Sequence, residues 1–368
     1  MIRKWKRLYL QIALSVLISA GCFTAAGCGR NNPQAPEETV RGFEEQSLGA
    51  AENSEKETEK ENGETEETGE DAAKEAETEK EPVITAVNGD VPPEEAYLGG
   101  AMLQLLDCAD GSQNLSCVFQ TKDGSVIVID GGRNTDAPHL IDVVQSMGGR
   151  VSAWLITHPH DDHAGALMNI LNQDPIPIEI DAVYYSFLDV EYYEKGENLG
   201  RVDFLKDLLQ SFQNIEPEKL HTPLQQGMEI QVDDVVITVM NEPFACLENT
   251  FNNSSVGYRL DVNGKRILFL GDMGWQAGEN IRKVCSPEDL KADVVQMSHH
   301  GQDGVEKDVY EVIAPEICLW PTPQWLWDNE KDGVAGAGSF KTLIVREWME
   351  SLGVKYNLCI KDGDQILK

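Results

Sequence analysis

The sequence is short of basic residues. It carries 30 lysines and arginines against 63 aspartates and glutamates, a formal net charge of −33 over 368 residues. Such a chain is a poor nonspecific binder of nucleic acid, because that kind of binding needs clustered positive charge. Residues 93–368 hold 20 of the basic and 44 of the acidic side chains, a net charge of −24, so the imbalance extends beyond one acidic tail.

Closely paired cysteines are also absent. None of the eight cysteines forms a CxxC pair, which argues against a thiolate zinc site. Six lie within residues 93–368, and their even number permits disulfides in an exported protein. Four of these six occupy apolar, strand-like contexts where a small buried hydrophobic residue is the simpler interpretation: Cys108, Cys117, Cys318 and Cys359.

Long hydrophobic runs are missing except near the N-terminus. Four basic residues within the first seven precede an apolar run that ends in small residues beside Cys22 and Cys28. We interpret residues 1–28 as a secretory signal, since the run is shorter than the roughly 20 residues that span a bilayer. The small residues resemble a bacterial lipobox, with Cys28 the better lipidation site and Cys22 the alternative. An ordinary cleaved signal and an uncleaved anchor remain as alternative interpretations. Each of the three interpretations places the remaining chain outside the cytoplasm.

Residues 29–92 lack aromatic side chains after Phe43 and consist mainly of Glu, Thr, Lys and Gly. They cannot bury enough apolar surface to offset the entropy of ordering. We predict a disordered acidic linker, extended by charge repulsion, that holds a folded domain of residues 93–368 away from a surface. This domain contains all seven histidines and is long enough for one sizeable core.

Strand and helix patterns alternate in the first half of this domain. The β-branched run Val126–Ile129 stops at an Asp-Gly-Gly turn, and helices are predicted over 138–147, 164–172 and 202–212. Later segments are rich in strands, with tight hairpin chemistry at Asn263-Gly264. The order of elements predicts an α/β layer arrangement.

Polar residues recur where the apolar strands end. Asp130 follows one strand, the segment "THPHDDH" follows the next, and Asp272 and His299-His300 end two later strands. Parallel strands in a shared sheet would bring these residues to one edge. His158 and His160 are two apart, so in an extended segment their rings point to the same side.

That spacing suits chelation of one divalent ion by His158 and His160. Asp162 and His163 are adjacent and diverge, which suits a second ion nearby. Asp272 is placed where it could bridge two ions. Asp130 could orient a ligating histidine as a hydrogen-bond acceptor.

The ordered motifs IDGG, HPHDDH, GD and HHG resemble those of the metallo-β-lactamase superfamily of hydrolases over Leu103–Lys368. More narrowly, "NNSSVGYRL", "RILFLGDMG" and "MSHHGQDG" are similar to the extracellular hydrolase domain of ComEC-type DNA-uptake proteins. The resemblance implies an αβ/βα sandwich, two mixed sheets flanked by helices, with two divalent ions, Zn²⁺ or Mn²⁺, at the sheet edges.

The resemblance also implies a role for each side chain. It makes Asp130 the supporting acid and Asp162 and His300 the catalytic residues. Asp162, or a neighbouring carboxylate, would orient the attacking hydroxide, and His300 would touch the substrate or donate a proton. The resemblance makes six residues the metal ligands: His158, His160, Asp162, His163, Asp272 and His299.

One ligand histidine of the general superfamily pattern is missing. The only histidine between the cluster and Asp272 is His221, whose context does not match that motif. At the expected place stand Asn252 to Ser255, as in ComEC-type domains. Asn252 and Ser255 are therefore candidates for contact with the substrate or the metal, and a site with fewer protein ligands suits Mn²⁺ as well as Zn²⁺.

Two classes of function are consistent with these features. One is an exported, lipid-anchored hydrolase that cleaves a phosphodiester, DNA included, or a related ester through metal-activated water. The acidic charge disfavours a long polyanion. The alternative is a cell-surface binding protein that keeps the metal fold without turnover, although charged groups crowded at a sheet edge argue against a purely structural role. The Trp-rich segment 320–340 could stack on a base or sugar or pack against the sandwich.

Overall fold

The computed structural model describes residues 96–196 and 199–368. The predicted signal peptide and linker, residues 1–28 and 29–92, lie outside this part of the chain, and so do both candidate lipidation cysteines. The described residues all fall in one compact unit. Within them, no helix has both the length and the apolar composition needed to cross a bilayer.

Two seven-stranded mixed sheets form the centre of the fold. In spatial order, the first sheet consists of β16 (Gln365–Leu367), β1 (Met102–Leu105), β2 (Ser116–Gln120), β3 (Val126–Asp130), β5 (Ala153–Leu155), β7 (Val183–Tyr184) and β8 (Leu220–His221). The second consists of β15 (Tyr356–Cys359), β14 (Ile317–Trp320), β13 (Val294–Gln296), β12 (Lys265–Phe269), β11 (Tyr258–Val262), β10 (Val235–Val239) and β9 (Glu229–Val232). A separate parallel pair is formed by β4 (Arg150–Val151) and β6 (Glu179–Ile180).

Helices accompany both sheets. In chain order they are α1 (Ala137–Ser146), α2 (Asp161–Leu171), α3 (Val190–Gly196), α4 (Leu199–Ser211), α5 (Thr250–Asn253), α6 (Trp275–Val284), α7 (Pro287–Leu290), α8 (Lys307–Ile313), α9 (Gln324–Trp327) and α10 (Thr342–Leu352). The first of them, α1 and α2, pack on the first sheet, whereas α6, α8 and α10 pack on the second.

Alternating side chains of the central strands build three apolar layers. On β3, Ile127 and Ile129 enter the core between the two sheets, while Val126 and Val128 enter the core beneath α1 and α2. On β12, Ile267 and Phe269 join the core between the sheets and Leu268 packs under α6. Strands buried on both faces read as continuous apolar runs. The predicted αβ/βα sandwich is confirmed.

Local expectations are met with shifts at the helix ends. Asn263 and Gly264 both adopt positive φ, +48° and +72°, as the tight β11–β12 hairpin requires. Helix α2 begins at Asp161, earlier than predicted, because Asp161 and Asp162 in its first turn favour a helix N-terminus. The four cysteines expected to be buried hydrophobic residues are buried free thiols.

Gly165 allows α2 to lie against the segment that follows β3. A Cβ atom at this position would sit 2.6 Å from the backbone nitrogen of Asn134 and 2.9 Å from the carbonyl carbon of Arg133. We expect Gly165→Ala to lower the free energy of unfolding by about 1–3 kcal/mol, since backbone atoms cannot yield as side chains do. Gly278→Ala in α6 is the matched control, because its nearest neighbours would be side-chain atoms, those of Val305 at 3.0 Å and of Val309 at 3.3 Å. Urea denaturation of both variants measures the difference, and an equal loss would contradict this account.

Candidate metal centre

The polar strand ends meet in the structure. Asp130 ends β3, and His158 follows β5, its parallel neighbour in the first sheet. Asp272 and His299-His300 follow β12 and β13, which are parallel neighbours in the second sheet. The cluster therefore draws on both sheets of the sandwich, and the single shared sheet considered from the sequence is wrong.

Six buried side chains form two groups with the spacing of metal ligands. The first group is His158, His160 and Asp272, and the second is Asp162, His163 and His300. Within each group, one potential ligand atom from every residue lies within 4.8 Å of the others. Four imidazoles and two carboxylates make a donor set that suits Zn²⁺ or Mn²⁺.

Asp272 lies between the two groups. Its Oδ2 atom is 3.2 Å from the Nε2 atoms of both His163 and His300 and 3.9 Å from Nε2 of His158. One carboxylate oxygen thus faces ring nitrogens of both groups. This is the position that a carboxylate shared by two ions would occupy.

A chain of hydrogen bonds orients His158. The hydroxyl of Thr157 donates to Asp130 Oδ2 at 2.8 Å, and its oxygen lies 3.1 Å from His158 Nδ1. With a proton on Nδ1, His158 turns the lone pair of Nε2 toward His160 Nδ1, 3.0 Å away. Two imidazole nitrogens at this separation can share one ion.

Hydrogen bonds also orient the histidines of the second group. His163 Nδ1 donates to Asp130 Oδ2 at 2.7 Å, and His300 Nδ1 donates to the carbonyl oxygen of Pro321 at 3.1 Å. In each ring the proton on Nδ1 leaves Nε2 with its lone pair. A carboxylate or carbonyl behind a histidine commonly fixes a metal-binding tautomer in this way.

The atoms that face the cluster are short of hydrogen-bond partners. Among the described residues, three such buried atoms have none: Nε2 of His163, Nε2 of His300 and Oδ1 of Asp272. Buried polar atoms without partners are uncommon in native proteins and call for an explanation such as a bound ion. The side chains present therefore fit a pair of divalent cations.

Burial and neighbouring charges set the protonation of the four histidines. Burial lowers the pKa of His158 well below its ordinary value and that of His160 to about 3, so both rings are neutral. Burial opposes charge on the other two rings as well, but the carboxylates around each ring together outweigh it. Asp272 and Asp130 raise the pKa of His163 well above its ordinary value, and Asp272 and Asp162 raise that of His300 to about 9. Cations that bind these two rings compete with protons.

The structure brings His300, and not His299, into the two groups of candidate ligands. His300 enters the second group, whereas both ring nitrogens of His299 contact other protein atoms. Its Nε2 lies 3.1 Å from the amide nitrogen of Asn252, and its Nδ1 lies 3.2 Å from the carbonyl oxygen of Asp303. His299 is thus absent from both groups, and His300 has its Nδ1 occupied in a fully buried position.

The segment in place of the missing histidine supports the cluster from outside. Ser255 Oγ accepts the backbone N–H of Asp272 at 3.1 Å, and the ring of Phe251 stacks on His160 at 4.9 Å. Asn252 Oδ1 is buried without a hydrogen-bond partner among the described residues. His221 stacks on Tyr184 at 4.5 Å in the first sheet and belongs to neither group.

Two residues that the sequence reasoning missed hold Asp162. Gln113 Nε2 donates to Asp162 Oδ2 at 3.3 Å and is itself contacted at its Oε1 by Gln302 Nε2 at 3.1 Å. Arg133 Nη2 lies 3.6 Å from the same Asp162 oxygen. Arg133 directly follows the IDGG motif and could have been found there, but no pattern in the sequence marks Gln113.

The Trp-rich segment packs against the sandwich and supports His300. Trp320 is fully buried, and the Trp327 ring packs against it edge to face at 5.2 Å. The guanidinium of Arg346 lies over the Trp327 ring at 4.1 Å. A Cβ on Gly301 would lie 2.5 Å from the Trp320 ring. The interpretation of these aromatics as packing residues is therefore correct for Trp320 and Trp327.

This geometry agrees with the comparison to known families. The sequence profile of the metallo-beta-lactamase superfamily matches residues 110–314, more than half of the chain. The chain belongs to this superfamily. Metallo-beta-lactamase-fold proteins are generally metal-dependent hydrolases, and the predicted fold class is that of the family.

Solved structures resemble the chain at low identity. A variant of CmlA beta-hydroxylase is 13% identical with a TM-score of 0.45, and the match covers 73% of this chain but only 54% of that chain. The Bacillus subtilis metallo-beta-lactamase fold protein YhfI is 11% identical with a TM-score of 0.44, covering 72% of this chain and 99% of that chain. A HARLDQ-motif variant of a Cronobacter sakazakii metallo-beta-lactamase is 17% identical with a TM-score of 0.37, covering 54% and 77%. No curated protein matches the sequence significantly.

Asp130 is expected to act on metal affinity through other residues. Its side chain accepts hydrogen bonds from the Thr157 N–H, the Thr157 hydroxyl and His163 Nδ1. In Asp130→Asn the amide NH₂ group would face one of these donors and could not accept its hydrogen bond. The preference of His163 for a proton on Nδ1 would then be weaker. We expect metal affinity to fall about 10- to 100-fold, measured by competition with a chromogenic chelator. Unchanged affinity in a folded variant would contradict the supporting role.

Proposed function

We propose that this metallo-beta-lactamase-fold protein is a dinuclear metal-dependent hydrolase that cleaves phosphodiesters or related esters. The observation that carries the proposal is the meeting of two three-residue groups at Asp272, whose Oδ2 lies 3.9 Å from Nε2 of His158 in the first group and 3.2 Å from Nε2 of His163 and His300 in the second. A site for a purely structural ion would not need two groups that share a carboxylate.

In this proposal His158, His160 and Asp272 would hold one cation and Asp162, His163 and His300 the other, and Asp272 also lies close to the second group. Bound divalent cations supply Lewis acidity and bring the pKa of water toward about 7. The assignment makes His300 a ligand in place of His299.

Asp162 has the catalytic task of orienting the attacking water and accepting its hydrogen bond. Arg133 and Gln113 hold its Oδ2 edge, so the carboxylate is fixed in direction. His299 and Asn252, bonded to each other beside the cluster, are the side chains that we assign to contact the substrate. His299 then takes over the contact with substrate that the sequence assigned to His300.

The resemblance to ComEC-type domains supports a phosphodiester substrate. DNA is included, but the net charge of −24 on residues 93–368 opposes a long polyanion and favours a short or small diester. We also propose that the protein is exported and anchored to the membrane by a lipid on Cys28, or on Cys22, with residues 29–92 as its tether.

The test uses the full chain loaded with Zn²⁺ or Mn²⁺, with Asp162→Ala as its inactive counterpart. Hydrolysis of bis(p-nitrophenyl) phosphate and cleavage of labelled single-stranded DNA are followed side by side. Metal-dependent turnover that disappears in Asp162→Ala supports the hydrolase. A protein that holds metal and turns over neither substrate would instead favour the binding protein, and the absence of any DNA cleavage that depends on His158 would remove DNA from the substrates.

A further inference from the structure

A cavity of about 360 Å³ opens beside the first metal-binding group. Its walls are formed by His160, Asp161, Gly200, Arg201 and Phe204. The cavity therefore lies between the candidate ligand His160 and the first turns of α4. A substrate that enters here has its neighbouring groups within reach of that helix.

The core holds α4 in place over the metal-binding group. Val202 and Leu205 are fully buried in a cluster with Phe251, whose ring stacks on His160 at 4.9 Å. This packing ties the helix to the ligand. Arg201, the residue before Val202, is consequently positioned at the rim of the cavity.

The positively charged side chain of Arg201 lies at this rim in a domain that is mostly acidic. Asp161 also lines the cavity, but its carboxylate is paired with Arg133 Nη1 at 2.8 Å. Arg201 is exposed and lines the same cavity. Basic residues are scarce in this domain, which has a net charge of −24. An arginine beside a metal ligand is therefore a notable feature of the site.

We propose that Arg201 binds the anionic oxygen atoms of the substrate and thereby selects phosphodiesters over neutral esters. The proposal rests on the proposed function and extends it to substrate selection. A guanidinium presents a planar fork of N–H donors that matches the non-bridging oxygens of a phosphate. Phe204, three residues along the same helix, offers an apolar wall for a substituent of the diester.

The experiment compares the full wild-type chain with Arg201→Gln, Arg201→Lys and Lys206→Gln, all brought to equal metal content. Lys206→Gln is the matched control, because it removes one positive charge from the same helix. Lys206 pairs with Glu194 at 2.8 Å and does not line the cavity. The substrates are bis(p-nitrophenyl) phosphate, an anionic diester, and p-nitrophenyl acetate, a neutral ester.

Arg201→Gln is expected to raise KM for the diester about tenfold and to leave the kinetics of the neutral ester unchanged. Arg201→Lys should recover part of the loss, and Lys206→Gln should change neither substrate. Equal losses on both esters, or an equal effect of Lys206→Gln, would overturn the proposal.

Calorimetric binding of diphenyl phosphate separates this proposal from the proposed function. If the wild type turns over neither ester, the hydrolase assignment fails. The role of Arg201 then stands if diphenyl phosphate binds the metal-loaded wild type about tenfold more tightly than Arg201→Gln. It falls if the two proteins bind the probe alike or bind none.

Discussion

Asparagine in place of Asp272 is expected to empty both metal-binding groups and to lower kcat/KM about 10³-fold or more. The Oδ2 atom of Asp272 faces His158, His163 and His300, so one substitution removes a negative charge from both ions. The amide keeps the size of the side chain, and loss of packing therefore contributes little.

Elemental analysis and kinetics of Asp272→Asn measure this effect. The matched control is Asp261→Asn on β11, where the carboxylate pairs with Arg259 at 2.8 Å away from the cluster. The control should retain metal and turnover. An Asp272→Asn protein that keeps its full metal content would show that this carboxylate does not join the two groups.

The second large effect concerns two adjacent histidines. His300→Ala is expected to leave about one equivalent of metal and to lower kcat/KM about 10²-fold or more, because it removes one of three ligands from the second group. His299→Ala is expected to keep both equivalents, since both nitrogens of that ring contact other protein atoms.

The contrast between the neighbours provides its own control. Each variant deletes one imidazole from the same short segment after β13, so general damage to that segment would affect both. Metal content measured on both proteins separates the two assignments. Loss of metal in His299→Ala with retention in His300→Ala would restore the ligand set inferred from the sequence.

The fold was predictable because its signals are local and redundant. Val126–Ile129 reads as a continuous apolar strand, and the structure buries it on both faces. The turn chemistry of Asn263-Gly264 likewise specifies its hairpin directly. The assignment of strands to two sheets follows from long-range pairing, which one strand's composition does not encode.

The HxHxDH half of the site was predictable for a similar reason. His160 is extended, with φ −84° and ψ 157°, and a helix starts at Asp161, so spacing along the chain translates into positions in space. His158 and His160 accordingly face each other at 3.0 Å.

The HHG half was not predictable from spacing. His299 and His300 have φ values of +51° and +55°, outside both strand and right-handed helix. No alternation rule then says which ring turns inward. The choice depends on Pro321 and Trp320, which reach the loop from β14 and its end.

Anomalous X-ray scattering at the zinc edge, from crystals of the protein grown with Zn²⁺, tests the central claim most directly. The account predicts two peaks about 3.5–4 Å apart, one beside His158 and His160 and the other beside His163 and His300, with Asp272 between them. A single peak away from Asp272, or none after Mn²⁺ has also been supplied and sought at its own edge, would contradict it.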